Sequence, residues 1–230
     1  MGILVGIDGT GSAFLPGAGR DQEYDVAFAN SFVKRICNAG GTNSRYFRGP
    51  VALGGGLVPA INDAFTFISQ TKNRGVSEPV LLTGYSRGAA GVVSLAKKLK
   101  NARIDVQAML LFDCVDRHLF IDAEIIPDNV KYVHHVIRDP ASSSRESFGN
   151  DGLLYYKGKT NYPAAYKFLC THGGMGGCPW TPGPGQLMSD LINEGGVDGA
   201  TTITFQQDAN VSTQIWAFCQ AFINTHGFMR

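Results

Sequence analysis

Gly84-Tyr85-Ser86-Arg87-Gly88 is the segment of this chain whose residue types and spacing point most directly to chemistry. A serine hydroxyl is a poor nucleophile until a base takes its proton, and the base needs an acid to fix its tautomer and stabilise its cation. The flanks of the pentapeptide suit a nucleophile. Pro79-Val80-Leu81-Leu82-Thr83 precedes it as a short apolar run, which predicts a buried strand. Ala89 to Lys100 follows, with Val92, Leu95, Ala96 and Leu99 on one helical face. Strand, sharp turn with serine at its tip, helix: this is the pattern of a nucleophile elbow. The glycines leave room in a turn too tight for Cβ atoms, and the serine is expected in a strained conformation that lifts Oγ clear of the sheet. The helix start beneath it aims N–H groups at a developing oxyanion. Without partners, the same residues would be only a glycine-rich strand-to-helix turn.

The partners must come from farther along the chain. The histidines after Ser86 are His118, His134, His135, His172 and His226. His134 and His135 lie in an apolar run, so at least one points into packing. His226 ends a helical pattern, where a cation suits the helix dipole without any catalysis. His172 follows a short strand-like run and leads into Gly173-Gly174-Met175-Gly176-Gly177, read as a flexible turn that carries the ring over the elbow. It is the best-placed base. For the acid, Leu111-Phe112-Asp113-Cys114-Val115-Asp116 offers two carboxylates. Asp113 follows the buried run directly and is favoured; Asp116 lies farther out and is the alternative.

These residues need elements to hold them. Ile3 to Ile7 predicts a first strand, ending in the turn Asp8-Gly9-Thr10-Gly11-Ser12 and a loop with Pro16, Gly17 and Gly19. Ala29, Phe32, Val33 and Ile36 form a helical stripe that stops at Ala39-Gly40-Gly41. Leu57, Ile61, Ala64, Phe65 and Ile68 form a second, with Pro59 near its first turn. Strands are expected at Val80 to Thr83, Asp105 to Phe112, Tyr132 to Ile137 and Tyr166 to Cys170. Val211, Ile215, Phe218, Cys219 and Phe222 mark a C-terminal helix. Strands alternating with helices imply a mostly parallel central sheet with helices on both faces, of the α/β-hydrolase kind, in a single domain spanning 1–230. In such sheets the site lies at the carboxyl ends of the strands. Asp8, Ser86, Asp113 and His172 each fall just past a predicted strand. The stretch from Gly173 to Gly185, with Trp180, reads as a shaped surface loop beside them.

Composition narrows the partners. Of 230 residues, 44% are hydrophobic and 17% charged, as in a globular protein. A net charge of +1 without a basic run argues against nucleic acid. The apolar start lacks a basic n-region and meets Asp8 at once, so it reads as a strand and not as a Sec signal. No apolar run reaches the roughly 18 residues of a spanning helix. The expected location is cytoplasmic, or exported by a signal-independent route. Cys37, Cys114, Cys170, Cys178 and Cys219 read as free thiols, with a Cys170–Cys178 disulfide as the alternative in an exported protein. Gly158-Lys159-Thr160 fails as a Walker A motif, because Leu153 stands where the first glycine belongs. Asn210-Val211-Ser212 fits a glycosylation acceptor only formally, at a helix start. Asp198 and Asp208 lack EF-hand spacing, and Asp208 reads as a helix N-cap. Arg117-His118-Leu119-Phe120-Ile121 with Ile125-Ile126-Pro127 is either a core-packing connection or a small lid. No cofactor and no metal is expected.

Four segments together resemble the α/β-hydrolase family that includes the Tle1-type phospholipases, antibacterial lipase effectors of type VI secretion. Gly6-Ile7-Asp8-Gly9-Thr10 resembles that family's F-D-G-T. Gly84-Tyr85-Ser86-Arg87-Gly88-Ala89 resembles G-F-S-R-G-A. Leu111-Phe112-Asp113-Cys114-Val115 resembles W-D-T-V, and Thr171-His172-Gly173-Gly174-Met175-Gly176-Gly177 resembles H-x-D-I-G-G. His134, Asp139 and Arg145-x-x-Phe148 are similar to a further segment between the last two. The resemblance implies Ser86 as nucleophile, Asp113 as acid and His172 as base. It also implies that Asp8, Gly9 and Thr10 border the site together with Tyr85. A backbone N–H of Gly9 or Thr10, with that of Arg87, would form the oxyanion hole. Phe112 replaces the family's tryptophan, Gly174 replaces its aspartate, and the effectors' membrane-docking part has no counterpart. The resulting expectation is a serine esterase or lipase acting on carboxylic esters, of lipids or phospholipids. A transient membrane surface and, for an effector, an immunity protein are its expected partners. An acyltransferase or thioesterase with the same triad, and a non-catalytic binding scaffold, are the alternatives.

Overall fold

The computed structural model describes residues 2–11, 20–118, 121–196 and 199–230. In chain order the elements are β1 (Ile3–Ile7), α1 (Arg20–Ala27), α2 (Phe32–Ala39), β2 (Ser44–Phe47), α3 (Leu57–Asn73), β3 (Val80–Tyr85), α4 (Arg87–Asn101), β4 (Val106–Phe112), β5 (Ile125–Ile126), β6 (Val130–Arg138), β7 (Leu154–Tyr155), β8 (Ala165–Phe168), α5 (His172–Met175), β9 (Leu191–Asn193), β10 (Ala200–Thr204) and α6 (Phe205–His226). Six strands form the central sheet in the order β2-β1-β3-β4-β6-β8, and every neighbouring pair is parallel. A parallel pair needs a long crossover, and here the crossovers cover both faces.

That cover explains the apolar runs. Ile3, Val5 and Ile7 of β1 face one core, shared with Leu57, Ile61 and Ala64 of α3 and Val92 and Leu95 of α4. Leu4, Leu81, Leu110 and Val136 face the other, against Phe32, Val33 and Ile36 of α2 and Ile215, Cys219 and Ile223 of α6. Strands buried on both sides lose the polar alternation and read as continuous hydrophobic segments.

Some elements differ from the sequence expectation. The first helix after β1 begins at Arg20, and the edge strand β2, with sequence Ser-Arg-Tyr-Phe, carries no apolar run to announce it. The C-terminal helix starts at Phe205, six residues before the apolar stripe at Val211. Thr204 caps it, accepting the Gln207 N–H, so Asp208 is not the cap. The glycine-rich stretch after Thr171 is not a turn: His172–Met175 is one turn of helix, capped by the Thr171 hydroxyl on Gly174 N–H at 3.1 Å. In the segment after Asp116, Ile126 is buried in the core, with Ile121 packed on it. Ser12, Pro16, Gly17, Gly19, Leu119, Phe120 and Asp198 lie outside the described residues. Among the described residues no helix is long and apolar enough to cross a membrane.

Candidate active site

Parallel register collects the carboxyl ends of the central strands along one edge. Ile7 pairs with Gly84, Tyr85 with Phe112, and Phe112 with Val136. Asp8, Ser86, Asp113 and Arg138 therefore meet at that edge. His172 reaches it from the segment after β8.

The elbow follows β3. Ser86 has φ 57° and ψ −130°, a conformation an L-residue adopts at a cost of about 1–3 kcal/mol. Backbone bonds hold it: Ser86 N–H donates to Phe112 O at 3.0 Å, and Ser86 O accepts from Ala89 N–H at 3.0 Å and Val115 N–H at 3.2 Å. The flanking glycines serve packing. A Cβ on Gly84 would lie 2.6 Å from Ala89 Cα, and one on Gly88 would lie 2.2 Å from Asp8 O. Gly88 thus lets α4 close onto the end of β1. Ser86 occupies the N-cap position of α4, yet its side chain caps nothing. The hydroxyl faces His172 Nε2 at 2.9 Å instead.

His172 Nδ1 lies 2.6 Å from Asp113 Oδ2. Arg138 NH1 approaches the same oxygen at 3.0 Å, and Asp113 Oδ1 accepts from Asn150 Nδ2 at 2.7 Å and Arg138 N–H at 3.2 Å. Arg138 NH1 and His172 Nδ1 are 3.0 Å apart, two donors converging on one acceptor. Since Asp113 only accepts, Nδ1 carries the proton and the Nε2 lone pair faces Ser86. Burial by itself would raise the Asp113 carboxyl, but the His172 hydrogen bond and the charges of His172 and Arg138 outweigh it and hold the pKa below the ordinary value. Asp113 also has a positive φ, 47°.

The segment carrying His172 is tied down on every side. Asp208 of α6, fully buried, accepts Thr171 N–H at 2.8 Å, the Thr171 hydroxyl at 2.9 Å and Trp180 N–H at 2.9 Å. His172 N–H donates to Ser144 Oγ at 2.8 Å, and Ser144 donates to Glu194 Oε2 at 2.8 Å. Tyr85 OH donates to His172 O at 2.8 Å. The imidazole packs on the Tyr85 ring at 5.0 Å and nearly perpendicular to the Phe148 ring at 5.3 Å. Gly174 is required by its neighbour: a Cβ there would lie 2.4 Å from Asp208 Oδ1.

Across the edge, Asp8 is buried and accepts the Ser31 hydroxyl, the Tyr46 hydroxyl at 3.0 Å and Gly9 N–H at 2.9 Å. Burial raises its pKa to about 6, against those hydrogen bonds. The Gly9 N–H, one of the two expected oxyanion-hole donors on this loop, thus points at the Asp8 carboxylate. Tyr24 OH donates to Gly9 O at 2.6 Å and accepts Gly49 N–H at 2.7 Å, which fixes the loop. Thr10 remains beside Ser86. Its Oγ1 is buried and has no hydrogen-bond partner among the described residues. Thr10, Ala52, Tyr85, Ser86, Arg87 and His172 line a cleft of about 290 Å³, together with Val115, Arg117, Arg145 and Phe148.

The other candidates are elsewhere. Asp116 accepts N–H groups from His118 and Ala123 in its own loop. His135 Nε2 accepts Cys114 N–H at 3.3 Å and Nδ1 faces Tyr162 OH at 2.9 Å. His134 stacks on Phe222, and His226 packs against the same ring at a tilt. All five cysteines are free, Cys170 and Cys178 included. No group of three or more potential metal ligands occurs among the described residues. Arg138, Asn150, Ser144, Glu194 and Asp208 had no sequence signal at the site, although Arg138 lies one residue past the expected strand end.

No protein-family model and no curated protein sequence matches the chain. Similar solved structures include ESTFA in an iron-lacking apo form, at 18% identity and TM-score 0.31 over 53% of this chain and 40% of that one. An uncharacterized protein from Pseudomonas aeruginosa is 18% identical at TM-score 0.30, over 70% of this chain and 30% of its own. An iodinated acetyl xylan esterase is 10% identical at TM-score 0.33, over 97% and 98%. This chain thus spans less than half the length of the first two. Likenesses this weak carry no weight for chemistry. The parallel sheet, the elbow after β3 and the edge that gathers Ser86, Asp113 and His172 define an α/β-hydrolase-like fold.

Proposed function

We propose that this protein is a serine hydrolase of carboxylic esters that works through an acyl-enzyme on Ser86. The observation that carries the reading is the continuous chain from Ser86 Oγ to His172 Nε2 at 2.9 Å and from His172 Nδ1 to Asp113 Oδ2 at 2.6 Å. Ser86 Oγ attacks the ester carbonyl carbon as His172 Nε2 takes its proton. Asp113 stays ionised and stabilises the imidazolium. The backbone N–H groups of Arg87 and Thr10 receive the oxyanion; Arg87 opens α4, where helix N–H groups have no carbonyl one turn back. His172 then protonates the leaving alcohol. Water, deprotonated by His172, attacks the acyl carbon; the bond to Ser86 Oγ breaks, His172 returns the proton to Oγ, and the acid leaves. Every step uses groups of this chain and water.

The resemblance to the effector lipases extends the reading to lipid esters, with a membrane surface and an immunity protein as the partners that extension brings. The chemistry at Ser86 does not depend on it. Kinetics on a panel of p-nitrophenyl esters test the reading, with folding of Ser86→Ala checked by circular dichroism. Turnover by the unaltered protein and a loss of roughly 10,000-fold or more in Ser86→Ala are expected. Equal hydrolysis by the folded variant would overturn it.

A further inference from the structure

Among the described residues, three arginines line the cleft over Ser86, namely Arg87, Arg117 and Arg145, and no acidic side chain does. Arg145 is offset, with Nε 3.8 Å from Glu194 Oε2 and NH2 donating to Glu194 O at 2.9 Å. Arg87 and Arg117 are not. Among the described residues neither has a carboxylate within ion-pair distance. Their anchors are neutral: Arg87 NH1 donates to Ala52 O at 2.7 Å, and Arg117 NH1 to Ser147 Oγ at 3.2 Å. Arg117 also lies over the Phe148 ring at 5.2 Å, the ring that packs on His172. Burial, and then the positive charge of Arg117, lower the pKa of Arg87. Two guanidinium groups therefore share one small, partly desolvated space with the nucleophile.

Like charges held together in such a space raise the free energy of the empty site. An anion between them removes that cost and gains charge-assisted hydrogen bonds. Guanidinium groups match the oxygens of carboxylate and phosphate in particular. The cleft, about 290 Å³, lies just below the range of about 300–1,000 Å³ usual for ligand sites, so the anion and the scissile bond are neighbours. We infer that the ester cleaved at Ser86 carries a carboxylate or phosphate group beside its scissile carbonyl, bound by Arg87 and Arg117. The inference rests on the serine hydrolase reading and specifies its substrate class.

Two matched pairs test it. One carries the charge on the alcohol, acetylated glycerol phosphate against acetylated glycerol. The other carries it on the acyl part, p-nitrophenyl hydrogen glutarate against p-nitrophenyl pentanoate, corrected for spontaneous hydrolysis. In at least one pair, kcat/KM at low salt is expected to favour the anionic member by about tenfold or more, and the ratio to narrow with added salt. Arg117→Gln narrows the ratio and Arg117→Lys restores most of it; Arg87→Gln is the second probe. Detergent-dispersed phosphatidylglycerol against phosphatidylcholine identifies the source of the anion: a preference confined to this pair assigns it to a lipid headgroup. Neutral members equal to or better than the charged ones in all three pairs would overturn the assignment. An uncharged fluorophosphonate separates the two ways to fail. Labelled protein without a charge preference loses the anion assignment alone, whereas folded, unlabelled protein loses the hydrolase reading beneath it.

Discussion

At the scale of residues, the site is held by strain and by acceptors aimed at single donors. Ser86 and Asp113, at φ 57° and 47°, are non-glycine residues in a region that favours glycine. The hydrogen bonds of Ser86 N–H to Phe112 O and Asp113 N–H to Val136 O hold both in place. Asp113→Asn is expected to lower kcat on a soluble ester by roughly 10,000-fold, because the amide favours the wrong histidine tautomer. Asp116→Asn, which alters only loop contacts, is expected to stay within about threefold of the unaltered protein. Steady-state kinetics on both variants check the ranking, and the reverse order would move the acid to Asp116. Chain order and strand ends singled out Ser86, Asp113 and His172, which lie within hydrogen-bond distance of one another in turn. They could not show that the Asp8 carboxylate turns back onto Gly9 N–H, because that depends on a side-chain rotamer. Nor could they bring Asn150 to Asp113 from a loop 37 residues away in the chain.

At the scale of elements, the short helix α5 matters most. Four residues do not hold a helix alone, and α5 depends on the Thr171 cap and on Asp208 of α6. Asp208→Ala leaves one buried and one part-buried N–H group and a buried hydroxyl without their acceptor. That is expected to cost about 1–3 kcal/mol per group and to lower the thermal midpoint by several degrees. His172 shifts with the segment, so kcat falls as well, by roughly tenfold or more. Gly174→Ala is expected to act in the same direction, since its Cβ would meet Asp208 Oδ1 at 2.4 Å. The two changes together should cost less than the sum of their separate effects, and thermal melts of the four proteins check this; strict additivity would mean that they act apart. The long elements were legible because β3, β4, α3 and α4 bury whole apolar faces. The edge strand β2, the β9–β10 hairpin and α5 were not, because tertiary contacts hold them and their sequences are polar or glycine-rich.

At the scale of the molecule, one parallel sheet with two covered faces gathers the candidate site at a single edge. The alternation of apolar strands and helical stripes made that architecture readable, as did the rule that sites lie at the carboxyl ends of strands. The same dense interior shapes the response to acid. Burial lowers the pKa of His134 and His135 to about 4. In the unfolded chain they bind protons near pH 6.5, so between 6.5 and 4 the unfolded state binds more of them and acidification destabilises the fold. Asp8, raised to about 6, acts the other way between its ordinary value and 6. His226 is lowered as well, and Asp116 and Asp208 are raised; the two large histidine shifts outweigh the one large carboxylate shift, and the thermal midpoint is expected to fall as pH drops from 7 to about 4.5. Calorimetry across that range checks it, and a flat or rising midpoint would contradict it. The central claim is an activated serine at the elbow. Fluorophosphonate labelling of the purified protein, with the modified peptide located by mass spectrometry, tests it most directly. A single adduct on Ser86 is expected, absent from Ser86→Ala and suppressed in His172→Ala. Folded protein that stays unlabelled, or is labelled at another residue, would contradict it.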